Sequence, residues 1–289
     1  MNNDVRRSNG TVLVTGATGN LGREVVARLR VDGAVVRGFA RTPVPAAFGE
    51  TVTGDITDDA PLRPALQGVD AVLVMWPFLD TVDAGPLLDA IAESGVRVVY
   101  VSSTAIDAAR AAGAEPDPIA RTHADMEVLL GDAGVPLTVL RSDTLASNAR
   151  GWRAQLAVGD VVRGPATAPT AVVDERDVAA AAAAALLDPA ARPMYRITGP
   201  SPIDRAEQVA VLGQVLGRAR RFDAVPSDAA LATLLAAGRP RALAEAVVEA
   251  ARSRPASTLI TDDLVALTGG TPRPFAQWAL DRRSEFEAG

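Results

Sequence analysis

Short apolar runs alternate with helix-like segments along the first half of the chain. Runs of β-branched and other apolar residues predict buried strands at residues 11–15, 35–40, 51–53, 71–75, 97–101 and 137–140. Apolar positions at helical spacing predict helices at residues 21–29, 87–92 and 123–130. This alternation indicates an α/β fold with a Rossmann-type doubly wound parallel sheet, in the strand order 3-2-1-4-5-6.

The second half has a different pattern. Strands are predicted only at residues 171–173 and 195–198, whereas helices are predicted at residues 176–187, 205–216, 229–237, 241–251, 262–267 and 275–286. We therefore expect a nucleotide-binding domain over residues 10–149. A smaller, mostly helical substrate region follows over residues 150–289, with a helical-hairpin lid at about 227–253.

A glycine-rich loop joins the first predicted strand to the first predicted helix. Gly16 allows a tight turn, Gly19 lets the backbone approach a pyrophosphate, and Gly22 lets the helix pack closely on the strand. The helix N-terminus then presents N–H groups to the phosphates. The alternative is a glycine turn that binds nothing. The cofactor contacts predicted from this loop are Gly16, Thr18, Gly19, Asn20 and Leu21.

The residues after the second and third strands indicate which dinucleotide binds. The second strand ends without an acid, and Arg41 with help from Arg37 would hold an adenosine 2′-phosphate, which favours NADPH over NADH. The alternative for Arg41 is a solvated surface charge. Asp55 is placed to accept the adenine amino group while Ile56 packs on the ring. A helix N-cap near Asp58 explains that segment equally well.

The composition excludes several kinds of chemistry. The chain has 289 residues, a formal net charge of −6, a single His, no Cys and no Lys. Disulfides, Cys-ligated metals, multi-His metal sites and lysine-dependent catalysis are therefore excluded. The acidic balance argues against a nucleic-acid partner, and no apolar targeting or membrane segment is visible. We expect a cytoplasmic protein that is a monomer or a homodimer.

Motifs along nearly the whole chain resemble the NmrA-like branch of the atypical short-chain dehydrogenase/reductases. This branch is close to NAD(P)H quinone reductases and polyketide ketoreductases. The matching segments lie at residues 14–22, 39–41, 54–56, 99–103, 123–127, 138–141, 176–179, 195–200 and 261–264. The first of these is shared across the superfamily, and the series together is more specific. The resemblance implies a Rossmann fold, an NADPH/NADP+ cofactor and reductase activity.

The resemblance also shows where this chain departs from the full catalytic set. If Glu127 is the family's glutamate, His123 stands at the position of the catalytic Lys and Ile119 at that of the Tyr. The resemblance implies that His123 hydrogen-bonds the nicotinamide ribose and takes part in catalysis, since an imidazole titrates in a suitable range. The alternative is a histidine on the helix surface.

Two strand ends supply the other candidate site residues. Ser102 and Ser103 end the fifth strand. Ser102 is assigned to the cofactor, and Ser103 with Thr104 is assigned to polarising a substrate carbonyl. Hydroxyls that cap the strand end are the alternative. At the end of the fourth strand we predict an apolar wall beside the nicotinamide, for which core packing is the alternative. It is formed by Met75, Trp76 and Pro77.

The sequence thus predicts an NADPH-dependent reductase that transfers hydride to a ketone or quinone. Without a Tyr–Lys pair it must rely on positioning and hydroxyl donors, which favours acceptors that need little acid help. A bulky, aromatic, polyketide-like compound of antibiotic biosynthesis fits this description. The alternative is a non-catalytic NADP(H)-binding redox sensor that acts through a protein partner. An isomerase or dehydratase would need an acid–base pair that the sequence does not show.

Overall fold

The computed structural model describes residues 10–43 and 49–287. Within them the strands are β1 Thr11–Thr15, β2 Val35–Ala40, β3 Glu50–Thr53, β4 Ala71–Val74, β5 Arg97–Ser103, β6 Leu137–Ser142, β7 Val161–Gly164, β8 Met194–Ile197 and β9 Arg221–Ala224. The helices are α1 Asn20–Val31, α2 Asp59–Leu66, α3 Gly85–Ser94, α4 Ala105–Ala111, α5 Pro118–Asp132, α6 Arg153–Val158, α7 Glu175–Leu187, α8 Arg205–Val215, α9 Ser227–Ala236, α10 Arg241–Ser253, α11 Asp263–Thr268, α12 Phe275–Asp281 and α13 Ser284–Glu287. No helix among the described residues is long and apolar enough to cross a membrane.

Seven strands form the main sheet, in the order β3-β2-β1-β4-β5-β6-β8. The pairs β1–β2, β2–β3, β1–β4 and β4–β5 are parallel. All four residues of β4 are buried, as a strand covered on both faces requires. The chain order reverses between β1 and β4, and in such sheets ligands bind at the carboxyl ends of the strands beside this reversal. The predicted fold class and strand order are confirmed, and β8 extends the sheet beyond β6.

The chain divides into two compact units, each built from several segments. The first unit comprises the described residues of Met1–Ser102, Asp125–Leu140 and Val178–Tyr195. The second comprises those of Ser103–Ala124, Arg141–Asp177 and Arg196–Gly289. This division differs from the continuous boundary at residue 149 that the sequence predicts, because the chain returns to the first unit after β6.

The first unit has an apolar core that β1, β2 and β4 share with the helices packed on them. Fully buried members include Leu13, Phe39, Leu87, Tyr100 and Leu130. Burying side chains of this size contributes about 1.5–3 kcal/mol each. Arg97 at the start of β5 donates to the backbone oxygens of Ala185, Leu186 and Asp188, and so satisfies the carbonyl groups at the end of α7.

The second unit has its own core around Trp278, which is fully buried. Its ring stacks on Phe275 at 5.4 Å between centroids and meets Phe286 edge-on at 6.1 Å. The indole N–H donates to Glu175 Oε1 at 3.0 Å. Arg150 also donates to Glu175, so the buried carboxylate has two donors. Packing of large aromatic side chains thus forms the core of this unit.

Buried ion pairs account for the acidic residues at the start of α7. Asp174 accepts from Arg176 at 2.5 Å, and Asp177 accepts from the backbone N–H of Arg273 at 2.7 Å. The hydrogen bond that Arg176 donates to Asp174 raises the pKa of Arg176 despite its partial burial. A favourable position beside the helix dipole is therefore only part of their role. They bind distant segments of the second unit together.

Several predicted elements of the second half differ in the structure. Residues 171–173 form no strand, and Val173 makes only an isolated bridge to Leu145. The single helix predicted at 275–286 is two helices, α12 and α13, interrupted at residues 282–283. The parallel pair β7–β9 and the helices α4 and α6 carry no clear periodicity, and the sequence did not predict them. Long-range pairing decides such short elements more than local pattern does.

Candidate functional site

The glycine loop of the first unit has the geometry of a dinucleotide-binding turn. Gly16 has φ 61°, a left-handed conformation that favours glycine, and its carbonyl accepts from the Gly19 N–H at 2.9 Å. Gly19 is the N-cap of α1 and provides no side chain to cover the helix end. The first N–H groups of α1 are therefore left for an anion.

Gly22 shows that the turn and the helix are packed as closely as backbone allows. A Cβ atom there would lie 2.2 Å from the Gly16 carbonyl oxygen and 2.9 Å from Ala17 Cα. Thr15 fixes the loop to the neighbouring strand: its hydroxyl donates to the Leu73 carbonyl at 3.0 Å and accepts from the Met75 N–H at 2.9 Å. The ends of β1 and β4 are thus held together where a cofactor would bind. These features fit a dinucleotide.

The two arginines near the end of β2 have different surroundings. Arg41 is exposed and makes no ion pair with the described residues. Arg37 pairs with Glu50 at 2.9 Å, and it also donates to the carbonyls of Ala65 and Gln67. Its guanidinium therefore joins β2, β3 and the end of α2, and assistance by Arg37 at the 2′-phosphate stays an untested prediction. Arg41 stays the main candidate for that contact.

Asp58 caps helix α2, and the predicted contact of Asp55 with adenine stays untested. Asp58 is the N-cap of α2 and accepts from the Ala60 N–H at 3.0 Å. Asp55 accepts instead from the backbone N–H and the hydroxyl of Thr57. The Asp55 carboxylate is thus held in a turn after β3, in the position predicted to face adenine. Ile56 is buried among the core residues of the first unit.

In the segment after β4, one side chain borders the glycine loop and another is buried in the interior. Met75 is half-buried, and its terminal methyl lies close to Gly16. Trp76 is buried; its indole N–H donates to the Asp80 carbonyl at 2.7 Å, and its ring meets Phe78 edge-on at 5.0 Å. Pro77 is exposed. Core packing therefore explains Trp76, while Met75 borders the glycine loop directly.

Ser102 ends the part of β5 that belongs to the first unit. It is buried, and its hydroxyl donates to Glu127 Oε1 at 2.5 Å. Tyr100 is fully buried, and burial followed by the charge of Glu127 raises the pKa of its phenol well above the ordinary value. The chain's other tyrosine, Tyr195, is also buried, and its hydroxyl accepts from the Arg192 N–H. Neither phenol is arranged as an accessible proton donor.

Ser103 and Thr104 lie in the second unit and line a small recess that is partly open to solvent. Thr104 is buried, and its hydroxyl donates to Asp143 Oδ2 at 3.0 Å. Asp143 Oδ1 accepts from the Thr144 N–H at 2.6 Å, so both carboxylate oxygens have donors. The Ser103 hydroxyl accepts from the Ala105 N–H at 3.2 Å at the start of α4. The sequence predicted the two hydroxyls but missed Asp143.

His123, which the sequence predicted, and Arg254, which it did not, also belong to the second unit. His123 is half-buried on α5, one turn before Glu127, and Ile119 is half-buried one turn earlier on the same helix. Arg254, at the end of α10, lines the same recess as Ser103. Sequence reasoning missed it because an arginine after a polar helix has the pattern of a surface charge.

The comparisons with known proteins begin with a family model. The model described as the NmrA-like family matches residues 8–262. A (4-alkanoyl-5-oxo-2,5-dihydrofuran-3-yl)methyl phosphate reductase from Streptomyces griseus subsp. griseus is 39% identical over 287 residues, which is 95% of this chain and 99% of that protein. An NAD(P)H azoreductase from Xenophilus azovorans is 30% identical over 291 residues, which is 96% of this chain and 99% of that protein.

A solved structure gives the same result for the fold. An NADPH-dependent quinone oxidoreductase from Escherichia coli in complex with NADPH matches with a TM-score of 0.77. It is 24% identical, and the match covers 93% of this chain and 98% of that chain. At this identity the likeness shows a shared fold and no more.

Proposed function

We propose that this chain, which belongs to the NmrA-like family and is an NAD(P)H-dependent reductase, uses NADPH to reduce a double bond conjugated to carbonyl groups. The observation that carries the proposal is the 39% identity to the furanone phosphate reductase over almost the full length of both chains. A chain without lysine and without an accessible phenol suits such an acceptor, because its reduction needs no strong acid.

A 4-alkanoyl-5-oxo-2,5-dihydrofuran has one ring double bond, and both carbonyl groups are attached to the same carbon of that bond. A hydride added to the other carbon moves the π electrons onto these carbonyls and gives a delocalised enolate. The enolate then takes a proton on carbon. Because two oxygens share the negative charge, no strong acid is needed during hydride transfer. Quinones belong to the same class of acceptor, whereas an isolated ketone does not.

The residues of the glycine loop and Arg41 would hold the cofactor. The first turn of α1 would present backbone N–H groups to the pyrophosphate, which would pass close to Gly16 and Gly19, and Arg41 would meet the 2′-phosphate as a charge-assisted pair. NADPH supplies the hydride when it is bound. The terminal methyl of Met75 lies close to Gly16, at the edge of this loop. The contacts of Asp55 with adenine and of His123 with the nicotinamide ribose belong to the same proposal.

The Ser103 hydroxyl of the second unit is assigned to the developing negative charge on the substrate. Ser103 accepts from a backbone N–H, which leaves its own hydroxyl hydrogen for an enolate oxygen. Thr104 gives its hydroxyl hydrogen to Asp143, whose other oxygen is held by the Thr144 N–H, so Thr104 holds this carboxylate and Ser103 is the donor. An oriented donor lowers the barrier without the reorganisation that water needs.

The experiment follows the position of a deuterium label. The protein is given NADPH deuterated at the transferable position together with an acyl-furanone, and the product is examined by NMR. We expect one NADPH consumed per ring reduced, with deuterium on the ring carbon that bears no carbonyl group. Deuterium on the alkanoyl carbon would show carbonyl reduction and overturn the proposal. Binding of NADPH without turnover of acyl-furanones or quinones would overturn it in favour of the redox sensor.

Ser103→Ala tests the hydroxyl donor, with Ser201→Ala as the matched control because Ser201 is exposed in the same unit. Loss of one donor to a developing oxyanion costs about 10²-fold in kcat. We expect that loss for Ser103→Ala and an unchanged rate for the control. Equal rates in both variants would remove Ser103 from the mechanism.

A further inference from the structure

The recess that contains Ser103 has a second group of polar lining residues. Thr170, Arg254 and Ser257 line it together with Ser103 and Thr104, all within the second unit. The Ser257 N–H donates to the Pro169 carbonyl at 3.2 Å, which holds the segment after α10 beside Thr170. The recess is partly open to solvent, so a polar group of a ligand can reach these side chains from outside.

Only one nitrogen of the Arg254 guanidinium donates a hydrogen bond to the described residues. Its Nε–H donates to Asp117 Oδ2 at 2.8 Å, while the two outer nitrogens have no acceptor in the described parts of the chain. Asp117 is committed elsewhere too, because its Oδ1 accepts from the N–H groups of Ile119 and Ala120. Burial opposes the ionisation of Asp117, but Arg254 and these N–H groups outweigh it and hold its pKa below the ordinary value.

The hydroxyl groups of the recess also have hydrogens to donate. Ser257 Oγ, like Ser103 Oγ, accepts from a backbone N–H, in this case that of Leu259. The hydroxyls of Thr144 and Thr170 make no hydrogen bond with the described residues. The recess thus offers several unused donors. Asp143 is the carboxylate that lines it, and both its oxygens already accept hydrogen bonds.

A second arginine adds positive charge next to Arg254. Arg205 is half-buried, donates to the Pro165 carbonyl at 2.7 Å, and makes no ion pair within residues 10–43 and 49–287. Burial, and after it the charge of Arg254, lowers the pKa of Arg205 to about 10. The charges of the two guanidinium groups therefore repel each other, while the carboxylate of Asp117 is paired with only one of them. An anion beside Arg254 would relieve this repulsion.

We propose that the recess binds a phosphate monoester group of the substrate, with Arg254 supplying the charge and Ser257 and Thr170 supplying hydroxyl donors. The outer nitrogens of an arginine form a fork that matches two oxygens of a phosphate. The inference rests on the proposed function, since it assigns the substrate of that reductase to the class of phosphorylated compounds. It adds a binding role for three residues that the hydride-transfer step does not use.

The test measures binding rather than turnover. The protein is first saturated with NADP+, so that the phosphate sites of the cofactor are filled. Methyl phosphate and inorganic phosphate are then titrated by calorimetry, with methanol as the uncharged probe. We expect both phosphates to bind one site and methanol to show none. Arg254→Gln should weaken binding at least tenfold, and Ser257→Ala should weaken it a few-fold with Arg254 still in place.

Arg252→Gln is the matched control, because Arg252 lies on the same helix but is exposed and paired with Glu249. It should bind methyl phosphate as the unchanged protein does. Equal binding by Arg254→Gln, or no phosphate binding by the unchanged protein, would overturn the proposal. So would loss of phosphate binding on saturation with NADP+, which would place the anion at the cofactor site.

The two proposals can fail separately. A neutral acyl-furanone without phosphate tests hydride transfer alone. If it is reduced while methyl phosphate does not bind, the reductase proposal stands and the phosphate site is wrong. If methyl phosphate binds through Arg254 and no acyl-furanone or quinone is reduced, the phosphate site stands without the proposed reaction.

Discussion

Gly22→Ala tests whether the packing of the glycine loop is what makes a cofactor site. The added Cβ would lie 2.2 Å from the Gly16 carbonyl oxygen, about 1 Å inside ordinary van der Waals contact. The other atoms it meets, at 2.9 Å, are the backbone carbons Gly16 C and Ala17 Cα. No side chain can rotate away to relieve this overlap. The turn and the start of α1 must therefore move apart.

The size of the effect follows from these contacts. Overpacking a tight site costs about 1–3 kcal/mol of the free energy of unfolding, and more where only backbone can move. A shift of the helix end also removes at least one hydrogen bond between an N–H group and the charged pyrophosphate. Such a bond contributes about 1.5–3 kcal/mol, so the Kd for NADPH should rise roughly 10- to 100-fold.

Calorimetric titration of NADPH and urea unfolding measure the two effects. Gly131→Ala is the matched control: Gly131 lies in helix α5 with nothing within 4 Å of its added Cβ. This control should gain up to about 1 kcal/mol from helix propensity and leave the Kd unchanged. An unchanged Kd for Gly22→Ala in a folded protein would refute the assignment of the loop to the pyrophosphate.

Three other predictions concern single side chains. Arg41→Glu should raise the Kd of NADPH about 10- to 100-fold and that of NADH far less, by titration with each; an equal rise for both would contradict the 2′-phosphate contact. His123→Ala should lower kcat in the NADPH oxidation assay without a change in urea midpoint; unchanged kinetics would leave His123 as a helix-surface residue. Tyr100→Phe should reduce the fall in the free energy of unfolding that the unchanged protein shows at high pH. Burial and Glu127 raise the phenol's folded pKa, so its contribution is complete below about pH 10 and lost above it. The unfolding free energy should fall by about 1.4 kcal/mol per pH unit above that point in the unchanged protein and less in the variant, by urea titration at several pH values.

The parts of this molecule that were predictable from sequence are those specified by local pattern. The strands β1 to β6, the glycine loop and the Asp58 cap each depend on a few neighbouring residues. The strand order was predictable because a glycine loop after the first strand is typical of the doubly wound topology. The motifs also predicted the family, the reductase class and the nicotinamide cofactor, and the names of the relatives confirm these. The cofactor and catalytic contacts of individual residues remain predictions.

The parts that were missed depend on contacts between distant segments. Asp143 has a role only because Thr104 is brought to it across 39 positions of sequence. The pair β7–β9 joins two strands of four residues each, which are too short to have a pattern of their own. Glu175 is fully buried because Trp278 and Arg150 both reach it. In these cases the sequence shows the residue, and only the fold shows its partner.

The roles of the arginines also depend on contacts between distant segments. All 29 basic residues are arginines. Arg97 supplies hydrogen bonds to the end of α7, and Arg37 is occupied between β2, β3 and α2. Arg41 and Arg254 have outer nitrogens without an acceptor among the described residues. A guanidinium is available to a ligand where the protein itself leaves its outer donors unused. Those two arginines are therefore the ones assigned to phosphate, one for the cofactor and one for the substrate.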